Sequence, residues 1–544
     1  MEQTMIRGRR FVALMIASLC WNSSLLSAEP AVNVRGTIID AQTRKPLAAR
    51  VYVRSPDGKW HFASSATKQG RAVEYRKDRG GSVEMNTSVS ADPFVLRLTP
   101  GKYTLGVERG KEYVPLEVPL EVGNAPQQVT LRLERWIDMA SRGWYSGDTH
   151  VHQPLDVLPT LMQAEDLNVA FPLTSWVTVT GKTPSEGRRS EAVQNGQIHL
   201  DATHVIHPRN TEYEIFSVGA KRHTLGAVFV LNQKEPLELS VPTVAPVAAE
   251  ARRQKALLDL DKHSWPWSLM IVPIMNVDLF ELSNNHVWRT KFGFPQWTIE
   301  MKPQSLGIET TEAGWTEWGW IDFGFKTYYA LLNCGYRMRP TAGTATGVHP
   351  VPLGFGRVYV HLPDGFSYDK WVAGLDAGRS FVTTGPVLFV QSNGRPPGHT
   401  FQLEQGTETT CRVTGEADSR LPLDRIEILV NGEVWKRVKP ANATTDRGSY
   451  RSKIDVSVPI DGTSWAAVRC FERHPEGRIR FAHSSPVWFD VPGRPLYPRK
   501  AEIRYLVRRM QEEIARNEGV LSKAAVDEYR EALEGYQRLA KKAR

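Results

Sequence analysis

The hydrophobic period changes three times along this 544-residue chain, and that order of changes limits what it can fold into. Residues 31–135 alternate apolar and polar side chains in "VNVRGTIID", "AARVYVRS", "FVLRLTPGKYTLGVE" and "QQVTLRLERW", separated by turn clusters such as "AQTRKP" and "PDGK". Period 2 broken by turns is the pattern of half-buried strands. From 140 to 395, strand-like runs ("VAFPLTSW", "AVFVLN", "LMIVPIMN") alternate with helix-length runs ("LPTLMQAEDLN", "TVAPVAAEARRQKALLDLDK", "WGWIDFGFKTYYALLNCG"). That alternation implies βα units around a mostly parallel sheet or barrel. Residues 396–492 return to strands, with Asn431-Gly432 placed for a tight hairpin turn. In 498–544, Ile503, Leu506, Met510 and Ile514 share one helical face. Gly519 then stops that helix, and Ser522 can cap a second one carrying Val526, Tyr529, Leu533 and Tyr536. A chain this long exceeds one hydrophobic core. The fold class predicted is multidomain α/β plus all-β, with a central βα barrel flanked by two β-sandwich domains and a C-terminal helical tail.

Residues 1–28 read as a secretory signal: basic "RGRR", a short apolar "FVALMIASLCW" and the small-residue ending "LLSA". The expected location is therefore extracytoplasmic, periplasmic or secreted. The apolar run falls short of the ~20 residues a membrane span needs, and no other segment of the chain is long and apolar enough for one. Beyond the leader, Cys334, Cys411 and Cys470 make no disulfide framework. Cys411 and Cys470 lie on strand patterns and are either one bridge or two buried thiols. The net charge of +9 includes an excess of +4 in residues 498–544, but no Lys/Arg patch is interleaved with aromatics, so nucleic acid is not an expected partner.

Ten of the 14 histidines fall between His150 and His361, which focuses the search for metal chemistry on the central region. At its start "WYSGDTHVHQ" places Asp148, His150 and His152 in strict alternation. On a strand all three share one face. Two imidazoles so spaced can reach one ion, with a carboxylate to ligate or orient them. A polar strand with hydrogen-bonded histidines is the competing reading of the triplet alone.

"DTHVH" at the head of a βα domain resembles the first motif of the PHP (polymerase and histidinol phosphatase) superfamily, in particular its CehA/McbA-like metallohydrolase branch. Further segments resemble later landmarks in order: "LMQAEDLNVAFPLTSW", "NTEYEIFSVGAKRHTLGAVFVLN", "ALLDLDKHSWPW", "YYALLNCGYRMRPTAGTATGVHPVPLG" and "AGLDAGRSFVTTGPVLF". The 31–135 region is similar to carboxypeptidase-regulatory-like β-sandwiches. The resemblance implies a metal site of His150, His152, Glu212, His223, His263 and His349, with Glu214 as the alternative to Glu212. Asp148 and Glu212 become the implied catalytic carboxylates, and His286 is a further candidate without a family counterpart. Two departures stand out. Trp176 occupies a place where the family carries a histidine, and Ala345 one where it carries an aspartate. Fewer ions than the full PHP site are therefore expected.

A divalent ion such as Zn, Mn or Fe in that site implies hydrolysis of a phosphoester, or of a carboxyl or carbamate ester, in a small-molecule or saccharide substrate. Lys262, Arg289, Arg337 and Arg339 are candidates to hold an anionic group, and Trp265 to wall the pocket. One competing reading is a catalytically degenerate, extracytoplasmic binding protein for a polysaccharide or surface partner. A glycosidase using paired carboxylates is another, less supported because the acidic residues do not cluster in the sequence as the histidines do.

Overall fold

"VNVRGTIID" forms the strand Val32–Asp40, whose alternate residues Val34, Gly36, Ile38 and Asp40 are buried. Gly36 is required there, because a Cβ would lie 2.1 Å from the Phe94 ring. This strand pairs parallel with Gln127–Leu133 and antiparallel with Phe94–Leu98 in a four-stranded sheet. A second sheet, centred on Ala49–Arg54, faces it across a core that includes Val51, Val53, Leu96, Leu105 and Leu131. The computed structural model describes residues 31–188, 196–265, 267–296, 306–312, 314–405 and 409–544. The expected leader lies outside them.

The strand Trp144–Val151 is buried at all eight positions. It pairs parallel with Val169–Pro172 and antiparallel with Arg357–His361. The chain then leaves this sheet and enters a second, six-stranded one in the order Ser175–Val179, Thr211–Val218, Lys221–Leu231, Leu257–Leu260, Leu279–Ser283, Arg339–Ala342. Beyond Ala342 the chain returns to the His150 strand: Ala345 N–H donates to His150 O at 2.7 Å and His152 N–H to Thr346 O at 2.9 Å. The two sheets are thus laced at both ends around the face that carries the histidines.

Five of the six strands of this sheet run in one direction; Lys221–Leu231 opposes them, in a hairpin with Thr211–Val218 about Gly219, whose φ is +56°. Two details correct the sequence reading. "LMIVPIMN" is not a strand but the helix Ser268–Met275, buried on most of its surface despite Pro273. "ALLDLDK" does not continue the preceding helix. Lys255 caps that helix in the left-handed region (φ +58°), and Leu257–Leu260 follows as a strand.

The sheet begun by the His150 strand continues through Arg357–His361, Ser380–Thr383, Phe481–Ser484, Ser464–Glu472 and Leu423–Val430 into the C-terminal region. A four-stranded sheet built on Thr409–Ser419 and Tyr450–Ile460 packs over its far end. Val387–Ser392, ahead of the boundary expected at 395/396, is already a strand of that second sheet. Cys411 and Cys470 are buried in the core between the two sheets as free thiols, and Cys334 is also free.

The tail is a helical hairpin, Lys500–Asn517 and Lys523–Ala540, with Ser522 Oγ accepting from Ala525 N–H. It covers the central region: Tyr536 donates to Leu269 O at 2.7 Å, and Glu528 accepts from the N–H groups of Val244 and Ala245 at the start of the helix Ala245–Gln254. Among the described residues no helix is long and apolar enough to cross a membrane.

Candidate metal centre

His150 lies near the end of its strand and His152 just past it, so the period of 2 turns both rings the same way. Their Nε2 atoms stand 3.1 Å apart. Glu212, on the neighbouring sheet, faces them at 3.2 Å from His152 Nε2 and 3.9 Å from His150 Nε2. On the other side of His150, Nδ1 lies 3.3 Å from Glu281 and 3.8 Å from Asp261. Glu214, two residues beyond Glu212, accepts from Lys262 Nζ and from Trp176 Nε1, each at 2.9 Å. Lys262 also bridges to Asp261. Three overlapping groups result, each with its ligand atoms within 4.8 Å of one another: His150–His152–Glu212, His150–Asp261–Glu281 and Glu212–Glu214–Asp261.

Charge is the notable property of this cluster. Glu212, Glu214, Asp261 and Glu281 are four buried carboxylates, and Lys262 is the ammonium among them. Burial first, and the Asp261 carboxylate second, push Glu281 far above the usual carboxylate range. Burial acts to lower Lys262, but Asp261, Glu214 and Glu212 outweigh it and hold the ammonium charged. His150 is driven well down by burial and by its neighbours His152 and Lys262. Buried like charges so arranged are costly unless cations join them. Two imidazoles and a carboxylate are also the donor set of a catalytic-type divalent ion. The residues present therefore fit a metal.

Around the cluster the packing leaves no slack. A Cβ on Gly343 would fall 2.2 Å from both Glu281 Oε1 and His150 Cβ. Asp148 is not part of the cluster. Its carboxylate accepts from Thr344 Oγ1 (2.6 Å), Gly354 N–H (2.9 Å), His150 N–H (3.1 Å) and Thr344 N–H (3.2 Å), tying the strand to two loops. Burial raises it to about 6 against those hydrogen bonds. Ala345 sits in the left-handed region (φ +49°) beside His150. Trp176 lies against His152, with ring centroids 4.6 Å apart.

Of the predicted ligands, the structure brings together His150, His152 and Glu212. His223 is at the far end of the hairpin, 2.7 Å from Asn517 Oδ1. His263 is packed among Trp320, Phe323 and Phe280, and burial lowers it to about 3. His349 meets Arg79 at 3.0 Å and Trp288, and His286 stacks on Trp320. Among the anion-binding candidates, Lys262 is in the cluster, and the Trp265 ring lies 4.9 Å from its Nζ. Arg289 instead pairs with Glu84 and Glu108, Arg337 with Asp490, and Arg339 with Asp376. These three are engaged by carboxylates elsewhere.

Asp261 and Glu281 escaped the sequence reading, although each carries a legible signal. "LLDLDKH" and "LFELS" are short apolar runs interrupted by acids, and a buried strand tolerates a carboxylate only where something compensates it. No protein-family model matches the chain, and no curated protein matches its sequence.

Proposed function

We propose that this chain is a secreted metal-dependent hydrolase with a PHP-like distorted βα barrel, acting on a phosphoester or on a carboxyl or carbamate ester. One observation carries the reading: two imidazoles and four carboxylates from separate strands converge in the protein interior with one ammonium to offset them. The lacing of the two central sheets around this point is compatible with a closed barrel. His150, His152 and Glu212 are the proposed holders of the ion, and Asp261 and Glu281, against Nδ1 of His150, would orient that ring and offset the ion's charge. A divalent ion such as Zn, Mn or Fe held there supplies Lewis-acid activation of water and of the oxygen under attack. Glu214, outside the His150–His152–Glu212 group and held by Lys262 and Trp176, is the proposed acceptor of a proton from an attacking water. Lys262 offsets charge developing on an anionic substrate. Asp148 acts through position, fixing the His150 backbone to the 344 and 354 loops.

The test is turnover of para-nitrophenyl phosphate, bis(para-nitrophenyl) phosphate and para-nitrophenyl acetate, before and after chelation and metal restoration. The account expects at least one substrate to be hydrolysed, with activity lost on chelation and regained with metal. Activity that survives complete chelation contradicts it. The second reading, a binding protein that has lost turnover, is favoured by one feature. The side chains of His150, Glu212, Asp261 and Glu281 are at most 1% exposed, and that of His152 is 3% exposed. That reading predicts retained metal with no hydrolysis of any of the three substrates.

A further inference from the structure

A cleft of about 410 Å³ opens where the N-terminal sandwich, the central sheet and the C-terminal strands meet. None of the metal-cluster side chains lines it. Its walls carry more cations than acids. Arg50 and Arg289 are matched by Glu108, Glu165 and Glu84. Three others are held differently. Lys111 Nζ donates to Thr384 O at 2.6 Å, and Arg357 donates to the carbonyls of Gly354 and Glu165. Arg480 donates to the carbonyls of Ile479 and Arg289, and Glu317 stands 3.8 Å from it. Of the remaining acids, Glu472 accepts from Ser419 and Glu476 is exposed.

Carbonyl dipoles solvate a guanidinium or ammonium without cancelling its charge, so the wall keeps a positive excess in a poorly hydrated place. Lys111 shows the consequence: burial, then Arg357 and Arg480, drive it well below the usual lysine range, with Glu472 partly opposing. Arg480 falls to about 10, chiefly through burial and Arg478. Lys111 nevertheless keeps surface toward the cleft. Phe355 forms an apolar wall beneath both cations, its ring centroid 4.0 Å from Lys111 Nζ and 5.0 Å from Arg480 Cζ. Trp136 and Tyr113 extend that wall.

We propose that this cleft binds a phosphate or sulfate ester of monosaccharide size, with Lys111, Arg480 and the rim residue Arg420 holding the oxyanion and Phe355 and Trp136 packing against the ring. A cleft of this size suits a small ligand bound by an apolar wall and a few polar groups. The site is separate from the metal centre and stands whether or not that centre is active.

Calorimetry on the full mature chain with glucose 6-phosphate, glucose 6-sulfate and glucose tests it. One or both esters should bind with a Kd below about 1 mM, and glucose should not. The tighter ester identifies the anion. Lys111→Met should weaken binding at least about tenfold, as expected when a charge partner is removed from a desolvated contact. Without ligand, Lys111→Met should melt above the unmutated protein, because an unmatched charge has left the interior. A lysine kept only for its bond to Thr384 O would make the variant melt lower. Arg420→Gln, on the exposed rim, keeps the test usable if other variants fold poorly and should weaken binding at least about threefold. Failure of both esters to bind overturns the proposal, as does ester binding that neither variant weakens.

Discussion

Gly343 and Glu281 show how much of the centre depends on single atoms. A methyl group at 343 has no room between Glu281 and His150. Gly343→Ala should therefore displace one of them, lowering metal content by more than half and costing about 1–3 kcal/mol of stability, read by elemental analysis and thermal melts. Glu281→Gln separates two effects. Metal affinity should fall about 10- to 100-fold in chelator competition, as for loss of a group that holds or orients a ligand. The metal-free variant should melt above the unmutated protein, since one of the crowded carboxylates has gone. A lower melt with unchanged affinity would count against the cluster as a metal site. His150 and His152 were legible because period 2 fixes their common face, whatever the rest of the fold does. His223, His263 and His349 were not excludable from spacing, because each is engaged by partners hundreds of residues away or by aromatics from other elements. Asp261 and Glu281 join the site through strand order, which local pattern does not encode.

At the scale of elements, long periodic segments read true and short apolar ones did not. The tail helices, with Gly519 between them and Ser522 as a cap, follow from 3.6-residue periodicity. "LMIVPIMN" and "ALLDLDK" are buried on nearly every side, the latter even at its charged residues, and burial from every direction erased the period that tells helix from strand. The pairing of elements also sets acid sensitivity. Burial acts to raise Glu108, but Arg289 and Arg50 overcome it and hold the carboxyl at about 2, below its ordinary 4.5. A folded value below the unfolded one means the stabilisation is complete above about pH 4.5 and drains away as pH falls toward 2. It amounts to at most about 3 kcal/mol from that shift. Denaturant unfolding at pH 7, 5 and 3 should show a shallower acid loss for Glu108→Gln than for the unmutated protein. Parallel slopes would remove Glu108 from the interface account.

Across the whole molecule, the flanking regions reach into the centre rather than hanging from it. Tyr75, on the N-terminal sandwich, donates to His349 O at 2.5 Å and accepts from Gly347 N–H at 2.9 Å, and Arg79 reaches His349. Gly347 in turn lies against His152: a Cβ there would fall 2.7 Å from His152 O. Tyr75→Phe should cost about 1–2 kcal/mol through the two lost hydrogen bonds and should also loosen the metal site, visible as faster metal loss to a chelator. On the opposite side the C-terminal strands prolong the His150 sheet, and the helical hairpin pins Leu269 and the start of the Ala245–Gln254 helix. Order along the chain indicated a sandwich, a βα region, a second sandwich and a helical tail. It could not indicate that one sheet runs through two of them, since sheet continuity is a property of pairing between distant strands. The claim on which the functional account rests is that the buried His150 cluster holds a metal ion. Elemental analysis of the purified protein, with and without His150→Ala and His152→Ala, measures it directly. At least one divalent ion per chain, lost in the variants, is the predicted result; less than about 0.2 ion per chain after metal supplementation would contradict the account.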